Sequence, residues 1–265
     1  VRESRGLTAA DMKACVKQLS SSDEYKAVLE TNWAMYNTNQ AQQKQVDSLY
    51  RDPSKPLDSI SSAGVSQGSI GDCYFEAAIA SLADANPKAI RDMIQDNKDG
   101  TYTVTFPGAK GEPITVSAPT EAERGTYNNT RDNGVWASVI EKPYGTSLQK
   151  SIFRRSLLNM GGGDTPTEGA DGGGRYEGMD LLTGKSSDGD QLAFTSMATT
   201  RRKMTEAFAS SPAKVVLAAT GPGLPFGSSE TTSGFARKHM YSVTGFDPAG
   251  ADGGTVTIRN PWGGE

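Results

Sequence analysis

The sequence predicts an α+β fold built as two lobes, a helical lobe followed by a β-rich lobe. One observation is the apolar run after Cys73, which has no glycine or proline before Pro87 and is typical of a buried helix. The other is the alternating run of residues 239–246, rich in β-branched and aromatic side chains, which is typical of a strand. Helix-rich sequence followed by strand-rich sequence favours segregated helices and sheets.

Length, composition and charge indicate which classes of protein fit this chain. The chain has 265 residues, of which 35% are hydrophobic, so it can bury a sizeable core in one large domain or two small lobes. Its net charge is −4 and its longest basic run is the triplet at residues 201–203, so nothing indicates binding to nucleic acid. The chain contains no run of about 18 apolar residues, and we therefore predict no membrane span.

We predict three segments along the chain. Residues 1–60 form a helical N-terminal extension and linker, with helices capped near Thr8 and Ser22. Residues 61–185 form the helical lobe, and residues 186–265 form the β-rich lobe. Two roles stay open for the extension, because a segment joined by a proline-rich linker can pack on the core or act as an inhibitory or targeting arm.

Turn and breaker residues divide the lobes into elements. A helix from Cys73 should stop at Asn86, since proline follows and cannot continue it. Asp99 and Gly100 predict a turn before a strand. The further predicted elements are a short helix to about Gln95, hairpin strands at 102–106 and 114–117, a surface loop at 161–175, a helix at 191–209, a buried strand at 215–219, a glycine-rich loop at 221–234 and a hairpin turn at 247–254.

Cys73 occupies a position suited to a nucleophile. A glycine-punctuated loop leads into it, and the apolar run behind it predicts that Cys73 lies in the first turn of a helix. A helix N-terminus has unpaired N–H groups and about half a positive charge, which favour an anion such as a thiolate. A cysteine pKa of about 8.5 falls to roughly 3.5–7.5 at such a site beside a protonated imidazole. We therefore expect a lowered pKa for Cys73.

Two polar residues flank this cysteine. The loop can fold the amide of Gln67 back beside the sulfur, where it would form a two-donor oxyanion hole with the backbone N–H of Cys73. The alternative is that Gln67 hydrogen-bonds its own loop. Glu76, one turn beyond the cysteine, is expected on the helix surface in a salt bridge, with no role in the site.

A nucleophilic thiol needs a base, and the chain contains one histidine, His239. A second predicted strand ends at Asn260, which is followed by proline, Trp262 and glycine. An asparagine oxygen that accepts from the far imidazole nitrogen fixes the tautomer and the ring orientation. We expect Trp262 both to pack in the core and to shield that bond. The predicted catalytic set is Cys73, His239 and Asn260.

Three separated motifs in this order carry a resemblance to a known family. They are the Q-G-x-x-G-D-C-aromatic-F run at residues 67–75, the H-x-Y-S-V-T-G strand that starts at His239 and the R-N-P-W-G run at residues 259–263. Together they resemble the protease core of the calpain family of papain-like cysteine peptidases. Residues 134–145 and 177–184 are similar to two further helices of that family.

The resemblance implies a papain-like two-lobe core and an endopeptidase. In that mechanism Cys73 and His239 form a thiolate–imidazolium pair, and peptide hydrolysis proceeds through an acyl-enzyme. The partner is then a protein or peptide substrate. The chain departs from the family at Tyr74, where tryptophan is usual, at Glu76, where leucine is usual, and at Lys238 and Met240, where small residues flank the histidine. These differences leave substrate preference open.

We predict no cofactor. One histidine and two distant cysteines cannot supply a usual zinc site, and Cys15 is expected to be a small buried residue rather than a disulfide partner. The resemblance raises calcium, because animal calpains bind it in their core lobes. The acidic candidates here form no Asp-x-Asp-x-Asp-Gly loop, so we do not favour a calcium requirement. These candidates are Asp92, Asp96, Asp99 and Glu177.

Other functions stay open at this stage. A cysteine acyltransferase or deamidase would use the same thiol chemistry, and a non-cleaving peptide-binding homologue would keep the fold. The glycine-, serine- and aspartate-rich composition and abrupt ends also resemble a domain of a larger bacterial polypeptide, such as a secreted effector, a toxin or a self-processing module. The partner would then be host proteins, the parent polypeptide or an inhibitory protein. Localisation is open between delivery from a bacterial cell and the cytoplasm.

Overall fold

The chain divides into two units, residues 1–45 and residues 46–265. The computed structural model describes part of the second unit, and the predictions for the extension helices, for Cys15, for the 161–175 loop and for most of the 221–234 loop lie outside it. The predicted boundaries of the extension and the two lobes stay predictions. The described residues are 48–109, 111–130, 132–144, 176–221, 234–250 and 253–263.

Helix α1, Cys73–Ala85, is the centre of the helical part, as its sequence predicts. Its residues from Tyr74 to Ala83 are all buried, so this helix has core on every side. Asn86 ends α1, and its side chain accepts from the backbone N–H of Ala89 to cap helix α2, Pro87–Met93. The second helix is shorter than predicted, because the residues after Met93 join a sheet.

The first sheet is antiparallel and has the order β1-β2-β3, with its predicted hairpin confirmed. Val104, in the middle strand, is fully buried and turns its side chain to the core. The tight turn before that strand places Lys98 and Gly100 at positive φ. The strands are β1, Ile94–Asp96, β2, Thr101–Thr105, and β3, Pro113–Ser117.

The described residues between 118 and 184 form three further helices. They are α3, Glu121–Thr126, α4 at residues 136–144, and α5, Glu177–Thr183. Phe75 of α1 stacks on Tyr144 of α4 with ring centroids 3.6 Å apart. The α5 helix approaches closely through Gly178, since a Cβ there would lie 2.9 Å from the Phe75 ring.

The second sheet has the antiparallel order β4-β5-β6 and carries the C-terminal motifs. Two predictions need correction here. The predicted helix at 191–209 begins only where Ser196 caps it, and the predicted buried strand at 215–219 is a three-residue, half-buried strand because it lies at the sheet edge. The elements are α6, Met197–Ala209, β4, Leu217–Ala219, β5, Met240–Asp247, and β6, Thr255–Arg259.

The second sheet packs directly on the helix that begins at Cys73. Ser242 of β5 donates its hydroxyl to the carbonyl of Ala77 at 2.9 Å, and the backbone N–H of Val216 donates to the hydroxyl of Ser81 at 3.0 Å. The first bond fixes β5 across α1 and so brings the start of β5 near the start of α1, and the second joins the residue before β4 to the same helix. Within the described ranges, none of the helices is long and apolar enough to cross a membrane.

Candidate active site

Cys73 is a free, partly buried thiol at the first position of α1. Burial raises the pKa of Cys73 above its ordinary value, and the charge of Asp72 acts in the same direction. Hydrogen bonds from the backbone N–H groups of Met240 and Tyr74 lower the pKa of the thiol but do not offset burial. The lowered thiol pKa expected from the helix N-terminus is therefore wrong for this arrangement.

His239 lies directly before β5 and pairs with Asn260. Its Nε2 is 2.9 Å from the Asn260 Oδ1, and because that oxygen can only accept, Nε2 carries the hydrogen and Nδ1 is left as an acceptor. Burial lowers the pKa of His239, while the bond to Asn260 raises it less. The preceding Lys238 has a φ of 52°, a left-handed conformation that side chains other than glycine rarely adopt.

Trp262 covers one face of the imidazole. Its ring centroid is 4.2 Å from that of His239, and its backbone N–H donates to the Asn260 Oδ1 at 3.1 Å. Tyr241 contacts the imidazole edge-on, with centroids 4.9 Å apart. Trp262 is 54% exposed, so the prediction that it also packs in the core is wrong. Its ring lies over the imidazole and not in the hydrophobic core.

The structure brings the cysteine and the histidine into the same region. The sulfur contacts the backbone of Met240, the residue after His239. Among the described residues, no hydrogen bond joins the Cys73 sulfur to the imidazole. Both groups therefore favour their neutral forms, a thiol and an imidazole, in this arrangement.

Gln67 hydrogen-bonds its own loop, which is the alternative to the oxyanion role. Its Nε2 donates to the Ile70 carbonyl at 2.6 Å and lies 3.4 Å from the Asp72 Oδ1. Gly68 lets this loop pass close to the chain at Tyr127, since a Cβ at Gly68 would lie 2.2 Å from the Tyr127 carbonyl oxygen. The oxyanion role of Gln67 stays a prediction.

A set of hydrogen bonds joins the segment before Cys73 to the segment around Asn260. We call residues 65–67 and 259–262 the strap. The Arg259 Nη2 donates to the Val65 carbonyl at 2.7 Å, and the Gln67 backbone N–H donates to the Pro261 carbonyl at 2.7 Å. Arg259 was not predicted to take part in the site, and its place directly before Asn260 was the available signal.

A second feature that was not predicted is a buried acidic cluster of Asp72, Glu76 and Glu141. Glu76 is fully buried, so the predicted surface salt bridge is wrong, and its Oε2 accepts from Asn128 at 2.9 Å. One carboxylate oxygen from each of the three acids lies within 4.8 Å of the others. A charged residue inside an uninterrupted apolar run was the available signal.

Three of the four acidic residues considered for calcium have local partners. Asp92 pairs with Lys88 and Arg91, and Asp96 pairs with Lys98. Hydrogen bonds from these neighbours, and from Thr101 to Asp99, lower the pKa values of the three aspartates. In the part of the chain that the structure describes, the acids close enough to share one cation are those of the buried cluster.

Comparison with known proteins agrees with the motifs. The profile of the calpain family cysteine proteases matches residues 23–265. The chain is 28% identical over 223 residues to the calpain-type cysteine protease ADL1 of Oryza sativa subsp. japonica, which covers 78% of this chain and 9% of that protein. It is 26% identical over 240 residues to calpain-9 of Rattus norvegicus, which covers 83% of this chain and 31% of that protein.

The calpain-type cysteine protease DEK1 of Zea mays is 28% identical over 225 residues, or 78% of this chain and 9% of that protein. The chain thus spans less than a third of the length of these relatives. Its mixture of helices and antiparallel sheets agrees with the papain-like α+β class of the family. The chain belongs to the calpain family of cysteine proteases, a family of peptide hydrolases.

Proposed function

We propose that this chain is a cysteine endopeptidase in which Cys73 is the nucleophile, His239 the proton carrier and Asn260 the residue that orients it. The observation that supports this most is the 2.9 Å bond between His239 Nε2 and Asn260 Oδ1. It leaves Nδ1 as the acceptor, which is the form that a general base needs.

The proposed reaction begins when the substrate carbonyl reaches the sulfur. The thiol proton moves to His239 Nδ1 as the sulfur–carbon bond forms, and the carbonyl electron pair moves to oxygen. The backbone N–H of Cys73 and the Gln67 amide stabilise the oxyanion. For this, the Gln67 amide exchanges its bond to the Ile70 carbonyl for one to the oxyanion.

Collapse of this intermediate breaks the peptide bond. The oxyanion pair reforms the carbonyl, the carbon–nitrogen bond breaks, and His239 gives its proton to the leaving amine. A water molecule then loses a proton to His239 and attacks the acyl-enzyme, and the sulfur leaves and recovers the proton. Since burial favours the neutral thiol and imidazole, we propose that proton transfer follows substrate binding.

We propose further that the chain acts as part of a larger system, either on host or competitor proteins as an effector or on its parent polypeptide as a self-processing module. The support is compositional, with 30 glycines among 265 residues. Cleavage of a fused parent sequence that does not depend on protein concentration would support self-processing. Cleavage of added proteins would support an effector, and an added inhibitory partner would suppress it.

The test is to incubate the purified chain with unfolded proteins and to identify new amino termini by mass spectrometry, with and without calcium chloride. The variants are Cys73→Ala, His239→Ala and Asn260→Ala, with Cys15→Ser as the matched control. We expect no cleavage from Cys73→Ala, a loss of about 10²–10⁴-fold from His239→Ala, and unchanged cleavage from Cys15→Ser.

Three outcomes would contradict the proposal. New termini that persist in Cys73→Ala would exclude this thiol as the nucleophile. Released ammonia, or transfer of an acyl group to an added amine, without new termini would indicate a deamidase or an acyltransferase. Binding of peptides without any product would indicate a non-cleaving homologue.

A further inference from the structure

The three acids of the buried cluster come from two directions. Asp72 is the residue directly before α1, Glu76 lies in α1, and Glu141 reaches them from α4. Their side chains are exposed by 0%, 0% and 1%. Although aspartate often caps a helix with its side chain, that of Asp72 makes no cap bond and belongs to the cluster instead.

Among the described residues, hydrogen-bond donors reach only two of the six carboxyl oxygens of the cluster. Asn128 donates to one oxygen of Glu76, and the Gln67 amide faces one oxygen of Asp72. Within the described residues, no N–H or O–H group reaches the Asp72 Oδ2, the Glu76 Oε1 or either oxygen of Glu141. These four oxygens lie on carboxyl groups that are close to one another.

Three carboxylates in this position cannot all be ionised without compensation. Burial disfavours each charge, and like charges a few ångströms apart disfavour one another. Arg259 is the cation that faces Glu76, but it also donates to the Val65 carbonyl. Among the described residues, the other titratable groups that interact with the cluster are the Cys73 thiol and the Tyr144 phenol, both through Asp72.

We propose that Glu141 keeps its proton at neutral pH and, as a neutral carboxylic acid between Asp72 and Glu76, holds the turn that carries Cys73. Its O–H donates to one neighbouring carboxyl group, which converts a repulsive contact into a hydrogen bond. Burial raises the pKa of Glu141 well above its ordinary range, and the charges of Asp72 and Glu76 raise it further. Burial raises the pKa values of those two acids as well.

The proton of Glu141 would act on the site through Asp72. The Asp72 carbonyl accepts from the N–H groups of Phe75 and Glu76 at the first turn of α1, and its side chain faces the Gln67 amide. Loss of the proton would place like charges behind this turn and displace both Cys73 and Gln67. Glu141 is thus a positioning residue, and this catalytic consequence rests on the proposed function.

The first test counts protons and needs no catalysis. Unfolding in urea is measured from pH 5 to pH 8 with EDTA for the wild type, for Glu141→Gln and for the exposed control Glu112→Gln. The folded state retains a proton that the unfolded glutamate loses above about pH 4.3, so stability is full below that pH and falls as pH rises. We expect the unfolding constant of the wild type to rise about tenfold per pH unit relative to Glu141→Gln.

The control should follow the wild type, and equal pH dependence of the wild type and Glu141→Gln would overturn the proposal. Calcium chloride that stabilises the wild type but not Glu141→Gln would also overturn it, in favour of a bound cation. If Glu141→Gln does not fold, infrared spectra of the wild type and Glu76→Gln decide. A protonated carboxylic acid band at pH 7 is expected in both, and its absence contradicts the proposal.

The second test concerns positioning. We expect Glu141→Gln to keep its kcat/KM for a peptide substrate at neutral pH and to extend activity to higher pH, and Glu141→Ala to lose about tenfold or more. Equal loss in both variants at every pH would refute positioning by the proton. If the wild type cleaves no peptide while the unfolding slopes differ, the proposed function fails and the protonated cluster stands.

Discussion

The backbone N–H of Gln67 and the carbonyl of Pro261 form a 2.7 Å hydrogen bond between the loop before the cysteine and the loop after the asparagine. The Ser66 hydroxyl donates to the Trp262 carbonyl at 3.3 Å in the same region. Together with the bond from Arg259 to Val65, these contacts hold the two segments of the strap together. The strap therefore sets how the segment that carries Asn260 lies against the segment that leads to Cys73.

Removing the Arg259 side chain should loosen the strap. Arg259→Met deletes the donor to the Val65 carbonyl, and hydrogen bonds to charged groups contribute about 1.5–3 kcal/mol. Because Arg259 is partly exposed, we expect a loss of about 1–2 kcal/mol in the free energy of unfolding and about a tenfold loss in kcat/KM. Urea denaturation and peptide hydrolysis measure these two quantities.

The matched control for Arg259 is Arg202→Met. Arg202 forms an exposed i,i+4 ion pair with Glu206 on α6, far along the chain from the strap. Pairs of this kind contribute about 0.3–0.5 kcal/mol, so this change should leave activity intact. Equal effects of the two substitutions would show that the strap does not position the site.

Gly68 should tolerate no side chain. A Cβ there would lie 2.2 Å from the Tyr127 carbonyl oxygen and 2.4 Å from that of Thr126, both of which are backbone atoms. We expect Gly68→Ala to displace the Gln67 loop, to lower stability by about 1–3 kcal/mol as overpacking does, and to lower kcat/KM. Gly125→Ala is the control, since a Cβ there meets nothing within 4 Å. Thermal unfolding that is the same in both variants would contradict this expectation.

Local sequence predicted the parts of the site that depend on local structure. The start of α1 at Cys73 follows from the loop and the apolar run, and the placing of His239 and Asn260 at strand ends follows from the alternating pattern and the turns. Since β5 and β6 are antiparallel neighbours, the start of one lies beside the end of the other. That register brings the imidazole and the asparagine together.

Contacts between distant segments could not be predicted in the same way. α1 is buried all round, so its sequence has no polar face that would reveal where Glu76 points, and its partner Glu141 comes from another helix. The Gln67 amide had two chemically equivalent uses, and its bond to the Ile70 carbonyl depends on where the fold places that carbonyl, which local sequence does not specify. The exposure of Trp262 depends on where the strap places its ring.

Lys238 should be replaceable by glycine with a gain in stability. Its φ of 52° is a conformation that costs a lysine about 1 kcal/mol and costs glycine little. The larger entropy of glycine in the unfolded state offsets part of this relief. We therefore expect Lys238→Gly to raise the free energy of unfolding by at most about 1 kcal/mol and to leave peptide hydrolysis unchanged. Lys238→Ala keeps the unfavourable φ and should bring no gain. A gain that is equal in both variants would instead indicate an effect of the lysine charge.

The thiol should react as a buried neutral group in the absence of substrate. Burial raises the pKa of Cys73, so in a Cys15→Ser background the rate of iodoacetamide labelling should reach its midpoint above the ordinary value of about 8.5. The same chain unfolded in urea is the reference, and its labelling rate should reach its midpoint near the ordinary value of about pH 8.5. His239→Ala should shift the folded midpoint little, since no hydrogen bond joins the two groups among the described residues. Fast labelling below pH 7 that disappears in His239→Ala would show a preformed thiolate–imidazolium pair.

The ring of Trp262 should control the environment of His239 without contributing much to stability. Since the ring covers the imidazole but is 54% exposed, we expect Trp262→Ala to change the free energy of unfolding by less than about 1 kcal/mol. The backbone bond from residue 262 to Asn260 survives this change, so any loss in kcat/KM, expected at about tenfold, belongs to the ring.

Burial lowers the pKa of His239, and exposure of the imidazole in Trp262→Ala should return that pKa towards its ordinary value of about 6.5. Because the chain has one histidine, proton NMR follows this titration without assignment, and Trp262→Phe should stay close to the wild type. An unchanged titration in Trp262→Ala would mean that the indole does not shield the imidazole.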